Sequence, residues 1–141
     1  MSSNVLTHTA RKERIATSSS ILIVDDRPEN LLVLEAALAP LGQDLLRATS
    51  GEEALRILLK HEVAVIILDV QMPGLDGFET AAYIKRLERT KNIPIIFLTA
   101  INKEARHVFR GYDVGAVDYL FKPFEPTMLR SKVSVFIDLF R

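Results

Sequence analysis

No cysteine occurs in the 141 residues, which excludes disulfides, thiolate nucleophiles and cysteine-ligated zinc and fits a reducing compartment. Net charge is lacking as well: 18 basic and 18 acidic side chains cancel, leaving no bulk field to draw the protein to nucleic acid or to a membrane. No apolar stretch approaches the roughly 20 residues a membrane span needs, and the amino terminus lacks the apolar core of a secretory signal. Basic recognition helices and zinc motifs are missing too, so a DNA-binding output is not carried here. His8, His61 and His107 are scattered, without the partner spacing of a metal site or of an activated nucleophile, and read as surface residues. A soluble cytoplasmic protein with local recognition of its partners is the expectation. With 48% apolar residues, the chain is long enough for one well-buried domain and too short for two ordinary ones.

Residues 1 to about 19 are polar, carry the charged run Arg11 to Arg14, and show little periodic apolar pattern. Such a segment cannot offset its own ordering entropy and reads as a disordered tail. From about residue 20 to 141, apolar runs alternate with segments of helical period, the signature of parallel βαβ units. The strands are expected at Ile21 to Val24, Asp44 to Thr49, Val63 to Leu68, Ile93 to Leu98 and Gly115 to Phe121. Between them, Pro28 opens a first helix whose Leu31, Leu34, Leu38 and Leu41 keep helical spacing until Gly42. Ser50 and Glu53 form a cap for a second helix running to about His61. A third helix is expected from about Phe78 to Glu88, a fourth from about Lys103 to Asp113, and a fifth from Pro126 to the last residue. Right-handed crossovers place the helices on both faces, with the second strand outermost and the first beside the third.

Chemistry is expected at the carboxyl ends of these strands, where open α/β sheets bind their ligands. Asp25 and Asp26 close the first run, Asp69 closes the third, and Thr99 and Lys122 close the fourth and fifth. Three crowded carboxylates repel one another unless a cation sits among them. Oxygen-only ligands without a nearby histidine favour Mg2+ over zinc, and Mg2+ commonly joins one or two carboxylates to water and substrate phosphate. An aspartate can then be the nucleophile that forms an acyl phosphate.

The segments Val24 to Asp26, Leu68 to Gly77, Leu98 to Ala100 and Phe121 to Phe124 together resemble the receiver domain of two-component response regulators, over roughly residues 20 to 140. The resemblance implies a flavodoxin-like, doubly wound five-stranded parallel sheet in the order 2-1-3-4-5. It implies a signalling switch, rather than an enzyme turning over a separate substrate, in which Asp69 accepts a phosphoryl group from a phosphohistidine of a sensor histidine kinase or phosphotransfer protein. Asp26, Asp69 and the backbone carbonyl of Gln71 would bind Mg2+, with Asp25 acting through a water. Lys122 would pair with the phosphoryl oxygens. Thr99 would swing its hydroxyl onto the phosphoryl group and Tyr119 would turn inward behind it, changing the surface of the fourth helix, fifth strand and fifth helix. The Lys122-Pro123 bond is implied to be cis. Gln71 and Ile101 flank the path of the hydrolytic water and are expected to tune the lifetime of the phosphorylated state.

On the fifth helix, Leu129, Val133, Phe136 and Phe140 are expected to face the sheet, while Met128, Val135 and Leu139 form a second apolar stripe. That stripe is expected to meet a second copy of the domain or a helix continuing into a missing output or coiled-coil segment. Partner choice is expected around Arg27, Glu29, Asn30 and the Lys122 to Phe124 loop. The alternative reading is a Mg2+-dependent phosphatase or phosphotransferase with an aspartyl-phosphate intermediate. Enzymes of the haloacid dehalogenase kind, however, carry an Asp-x-Asp pair on the first strand, and the acids here are adjacent.

Overall fold

Each strand-forming run alternates its side chains between two sides, and in the runs Ile21–Val24, Val65–Leu68 and Ile95–Leu98 both sides are apolar, so the sheet can be stable only with helices on both faces. The computed structural model describes residues 19–100 and 118–140. In chain order these form β1 (Ser20–Val24), α1 (Pro28–Leu38) with a 3-10 turn at Ala39–Leu41, β2 (Asp44–Ala48), α2 (Gly51–Lys60) and β3 (Val65–Asp69). There follow α3 (Gly77–Arg86), β4 (Ile95–Ala100), β5 (Asp118–Lys122) and α4 (Pro126–Phe140). The strands pair in parallel in the order β2-β1-β3-β4-β5, the expected doubly wound arrangement. α4 is the fifth helix of the sequence reading. The helix expected over 103–113, the strand start at Gly115, and Ile101, His8, His107, Arg141 and residues 1–18 lie outside the described residues.

Leu22, Val24, Ile66, Leu68 and Phe97 point to one side, against Ala54 and Leu58 of α2 and Phe78 and Ile84 of α3. Ile21, Ile23, Val65, Ile67, Ile96 and Leu98 point to the other, against Leu31, Leu34 and Leu38 of α1 and Leu129, Val133 and Ile137 of α4. Ser19 belongs to this domain rather than to the tail: it is buried, and its backbone N–H and hydroxyl both donate to Gln43 Oε1 at 2.9 and 3.0 Å.

Local chemistry sets the element ends. Ser50 caps α2 by accepting from the Glu53 N–H at 3.0 Å, and Glu53 Oε1 takes the Thr49 N–H at 2.7 Å, which ends β2 at Ala48. Asp76 and Glu79 form a reciprocal capping box that starts α3 one residue earlier than expected. α3 also stops earlier, at Arg86. Thr90 Oγ1 donates to the carbonyl of Ile84, taking an acceptor that another turn would have used, and Lys85 Nζ reaches forward to the carbonyls of Lys91 and Ile93 and ties the following loop to the helix end. β4 begins after Pro94 and extends through Thr99 to Ala100, so Thr99 lies within the strand rather than beyond it. Gly42 ends the first helical segment at a φ of 69°.

On α4 the buried line is Leu129, Val133 and Ile137, with Phe136 partly buried and Phe140 43% exposed. The expected sheet-facing role of Phe140 therefore falls to Ile137, which continues the i, i+4 ladder. Met128, Val135 and Leu139 stand out from the domain, as anticipated. Ile137→Ala is expected to cost about 2 to 4 kcal/mol in urea unfolding, whereas Leu139→Ala changes stability by no more than about 0.5 kcal/mol.

Candidate functional site

β1 and β3 are neighbours, so their carboxyl ends deliver Asp25, Asp26 and Asp69 to one edge. One carboxylate oxygen from each can lie within 4.8 Å of the others. Asp25 is fully buried and Asp69 is 5% exposed, while Asp26 is half-buried. Lys122, the last residue of β5, reaches across from the far side of β4. Its Nζ donates to Asp69 Oδ1 at 3.1 Å and to Asp25 Oδ2 at 3.4 Å. Asp25 is further held by the Arg27 N–H at 3.0 Å and by Asn30 Nδ2 at 3.2 Å, both on its Oδ1. Through these bonds Asp25 ties the entry of α1 to the cluster.

Burial is the main reason that Asp69 is pushed up to about 6, from an ordinary 3.8. Lys122 pulls it down, while the charges on Asp25 and Asp26 push it further up. Burial also works against the Lys122 ammonium, but Asp69 and Asp25 overcome that and hold its pKa above the ordinary lysine value. One ammonium is therefore not enough to make an ionised Asp69 comfortable. The donor set contains oxygen atoms alone, and such a cluster fits a hard divalent cation.

Thr99 lies on β4 one position beyond Leu98, which pairs with Asp69. It is 2% exposed, and its Oγ1 finds no hydrogen-bond partner among the described residues. Tyr119 on β5 pairs with Phe97, and its ring is buried against that side chain with centroids 5.5 Å apart. The aromatic ring thus stands in the inward position. The Lys122-Pro123 bond is cis. Gln71 is exposed in the loop after Asp69, and Met72 behind it is buried. Beside Lys122 a cleft of 260 Å³ opens between α1 and the segment after β5, lined by Asn30, Val33, Leu34, Pro123 and Phe124 among others.

Gly77 serves close packing at the start of α3. A Cβ at Gly77 would run into the carbonyl oxygen of Asp69 and the Cα of Val70, and the Gly77 N–H bonds the Val70 carbonyl at 2.9 Å. Gly77 therefore lets the start of α3 press against the backbone that carries Asp69. The Asp76-x-x-Glu79 spacing was the available signal for this tight join, since it marks where α3 must start.

Fold and site now have counterparts among known proteins. Residues 21–134 match the response regulator receiver domain family, and the chain belongs to that family. Its members are signalling switches that work with histidine kinases or phosphotransfer proteins. Among solved structures, the chain is 31% identical to the chemotaxis protein CheY4 of Vibrio cholerae, with a TM-score of 0.79 over 84% of this chain and 98% of that one. The receiver domain of the sensor histidine kinase PA1611 of Pseudomonas aeruginosa, crystallised with magnesium coordinated in its active site cleft, is 31% identical. Its TM-score is 0.78 over 86% of this chain and 98% of that one. Transcriptional regulatory protein AfsQ1 of Streptomyces coelicolor is 37% identical over 114 residues, which are 81% of this chain and 49% of that protein. The chain spans from a quarter to about half the length of the curated relatives it matches. Among the described residues, no helix is long and apolar enough to cross a membrane.

An acid whose folded pKa lies above its unfolded value binds its proton more tightly when folded, so ionisation of Asp69 costs stability. That cost is absent below about pH 4, grows as the pH rises, and is complete above about 6. Asp69→Asn is accordingly expected to raise stability at pH 8 by roughly 1 kcal/mol, after allowing for solvent screening, and to give no gain at pH 4. Urea unfolding of both proteins across this pH range measures it; a gain that grows on acidification would contradict the assignment.

Proposed function

We propose that this chain is a phosphorylation-dependent switch in which Asp69 takes a phosphoryl group from a phosphohistidine of a sensor histidine kinase or phosphotransfer protein. The observation that carries this reading is the buried Asp69 held by Lys122 among two further acids. A carboxylate oxygen of Asp69 attacks phosphorus while the P–N bond of the phosphohistidine breaks, leaving a neutral imidazole on the partner after it takes up a proton. The product is an acyl phosphate on Asp69. Asp26, Asp69 and the Gln71 carbonyl would hold Mg2+, with Asp25 reaching it through a water. Bound there, the ion offsets negative charge on the transferring group. Lys122 moves from the carboxylates to the new phosphoryl oxygens. Thr99 turns its unsatisfied hydroxyl to the same group, and the inward ring of Tyr119 occupies the space behind it.

The altered surface lies on the helix expected over 103–113, on β5 and on α4. The apolar stripe of Met128, Val135 and Leu139 supports either a homodimer or a continuing helix as the receiver of that change. The cleft beside Lys122, together with Arg27, Glu29 and Asn30, would select the phosphoryl donor. Residues 1–18 are proposed as a polar tail, and an output or coiled-coil segment would follow α4. Nothing in the site favours the phosphatase alternative, because the first-strand acids are adjacent and both are committed to the cluster.

Acetyl phosphate with Mg2+ should label the chain stoichiometrically and without sustained turnover. Asp69→Asn should lose the label, and Lys122→Ala should lower the rate of labelling by about tenfold or more. Sustained phosphate release from excess acetyl phosphate would instead favour the enzyme reading. Decay of the label tests the roles proposed for the flanking residues. Apolar Ile101 is expected to hinder the hydrolytic water, so Ile101→Glu should shorten the lifetime, and an unchanged decay rate would count against it. Sedimentation of the labelled protein, extended past Arg141, should show a dimer that Leu139→Ser weakens; a monomer with and without the label would remove the homodimer.

A further inference from the structure

We propose that the edge of the sheet remote from Asp69 is a docking groove for a partner protein's peptide segment that carries a carboxylate between bulky apolar side chains, with Arg89 as its anchor. Three open clefts of 440, 190 and 140 Å³ meet where the segments before β3 and before β4 approach the end of α4. Arg89 lines all three. The largest is walled by Val63, Ile93, Pro94, Phe136 and Phe140, and the second by Leu55, Leu58, Leu59 and Leu87. Leu59, Leu87, Leu139 and Phe140 are all well exposed, so a continuous apolar surface flanks the cation. Surfaces of this kind, rimmed by charge, mark interaction sites.

Charge complementarity selects the occupant. Arg89 makes no hydrogen bond or ion pair among the described residues, and its neighbour Glu88 is already taken by Lys91 at 2.6 Å. A planar guanidinium between apolar clefts matches a carboxylate whose flanking residues fill those clefts. Glu62 and His61 border the smallest cleft and Glu88 the second, whereas Arg89 is the one charged residue lining the largest, so the incoming acid belongs on the side of the largest cleft. The chain's own amino-terminal segment has the wrong charge, because Arg11, Lys12 and Arg14 outnumber Glu13. The groove lies at the amino-terminal ends of β3 and β4, a full strand length from the carboxylates at their carboxyl ends. Docking there therefore leaves the carboxylates around Asp69 free for their own partner.

A random peptide library displayed on phage and panned against the full chain tests the groove, with affinities of the enriched peptides read by fluorescence anisotropy. Enriched sequences are expected to hold Asp or Glu flanked by Leu, Ile, Phe or Trp. Their Kd should weaken by about tenfold or more on Arg89→Glu, and replacing the peptide's acid by Lys should recover binding to that variant. Asp69→Asn should bind as the unsubstituted chain does. Because Arg89 is exposed and unpaired, circular dichroism of Arg89→Glu should be unchanged, and Leu87→Ser supplies a second variant in the apolar wall. Failure of any peptide to enrich, enrichment without an acid, or equal binding to Arg89→Glu would overturn the proposal. So would concentration-dependent dimerisation that Arg89→Glu abolishes, which assigns the groove to a second copy.

Discussion

The Lys122 ammonium, 3.1 Å from one carboxylate and 3.4 Å from another, is the one cation among the described residues that pairs with the three-acid cluster at the sheet edge. At an effective dielectric near 20, charges about 4 Å apart interact by about 4 kcal/mol, so each repulsion in the cluster is as large as the attraction that opposes it. One cation cannot balance three anions on those terms, and the repulsion from Asp25 and Asp26 adds to burial, the main cause, in holding the pKa of Asp69 up. The cluster persists because its members cannot move apart: β1 and β3 pair residue by residue along their length, and both are sealed between two apolar layers. A rigid frame thus keeps the site short of positive charge, which favours any ligand that brings some.

Strand identity and order were legible because the runs ending in Asp25, Asp69 and Thr99 are apolar on both faces and can be nothing but central parallel strands. The acids were legible for the same reason, since an acid that closes such a run has to stand at the sheet edge. Element ends were less visible. Thr49 reads as a good strand residue, yet the Glu53 carboxylate captures its N–H and the strand stops before it. Leu87 and Glu88 fit a continuing helix, but Thr90 reaches back to the carbonyl of Ile84 while Lys85 reaches forward to that of Ile93, and the helix closes at Arg86. These outcomes depend on side chain to backbone bonds that hydrophobic period does not encode. Phe140 and Ile137 were exchanged for a similar reason: both are apolar, and only the geometry of α4 on the sheet decides which one is covered.

Gly77 shows how the surroundings of the site are built into the backbone. A side chain there would strike the peptide that follows Asp69, so the loop between β3 and α3 can fold over the acid only with glycine at that point. Asp76 and Glu79 then fix where α3 begins, and Phe78 inserts its ring 4.9 Å from Phe97. Phe97 in turn touches Tyr119. A packed line of aromatic rings therefore runs from the loop beside Asp69, through β4, to β5. Close-packed side chains transmit displacement because no void is available to absorb it.

Thr99 sets the scale of what that line can report. A buried hydroxyl without a partner costs about 1 to 3 kcal/mol, and an acceptor placed at Asp69 would recover it. That alone shifts a two-state equilibrium by about one to two powers of ten, whereas a complete reversal from 1:99 to 99:1 needs about 5.5 kcal/mol. The hydroxyl can bias such a switch but cannot throw it unaided. On the proposed reading the remainder would come from Lys122, whose two carboxylate bonds would be exchanged for others when negative charge is added between them. The ammonium and the hydroxyl sit at the ends of neighbouring strands, β5 and β4, and Phe121 pairs with Thr99 directly. Both contributions would therefore act on the same pair of strands, and groups that share a backbone in this way are coupled rather than independent.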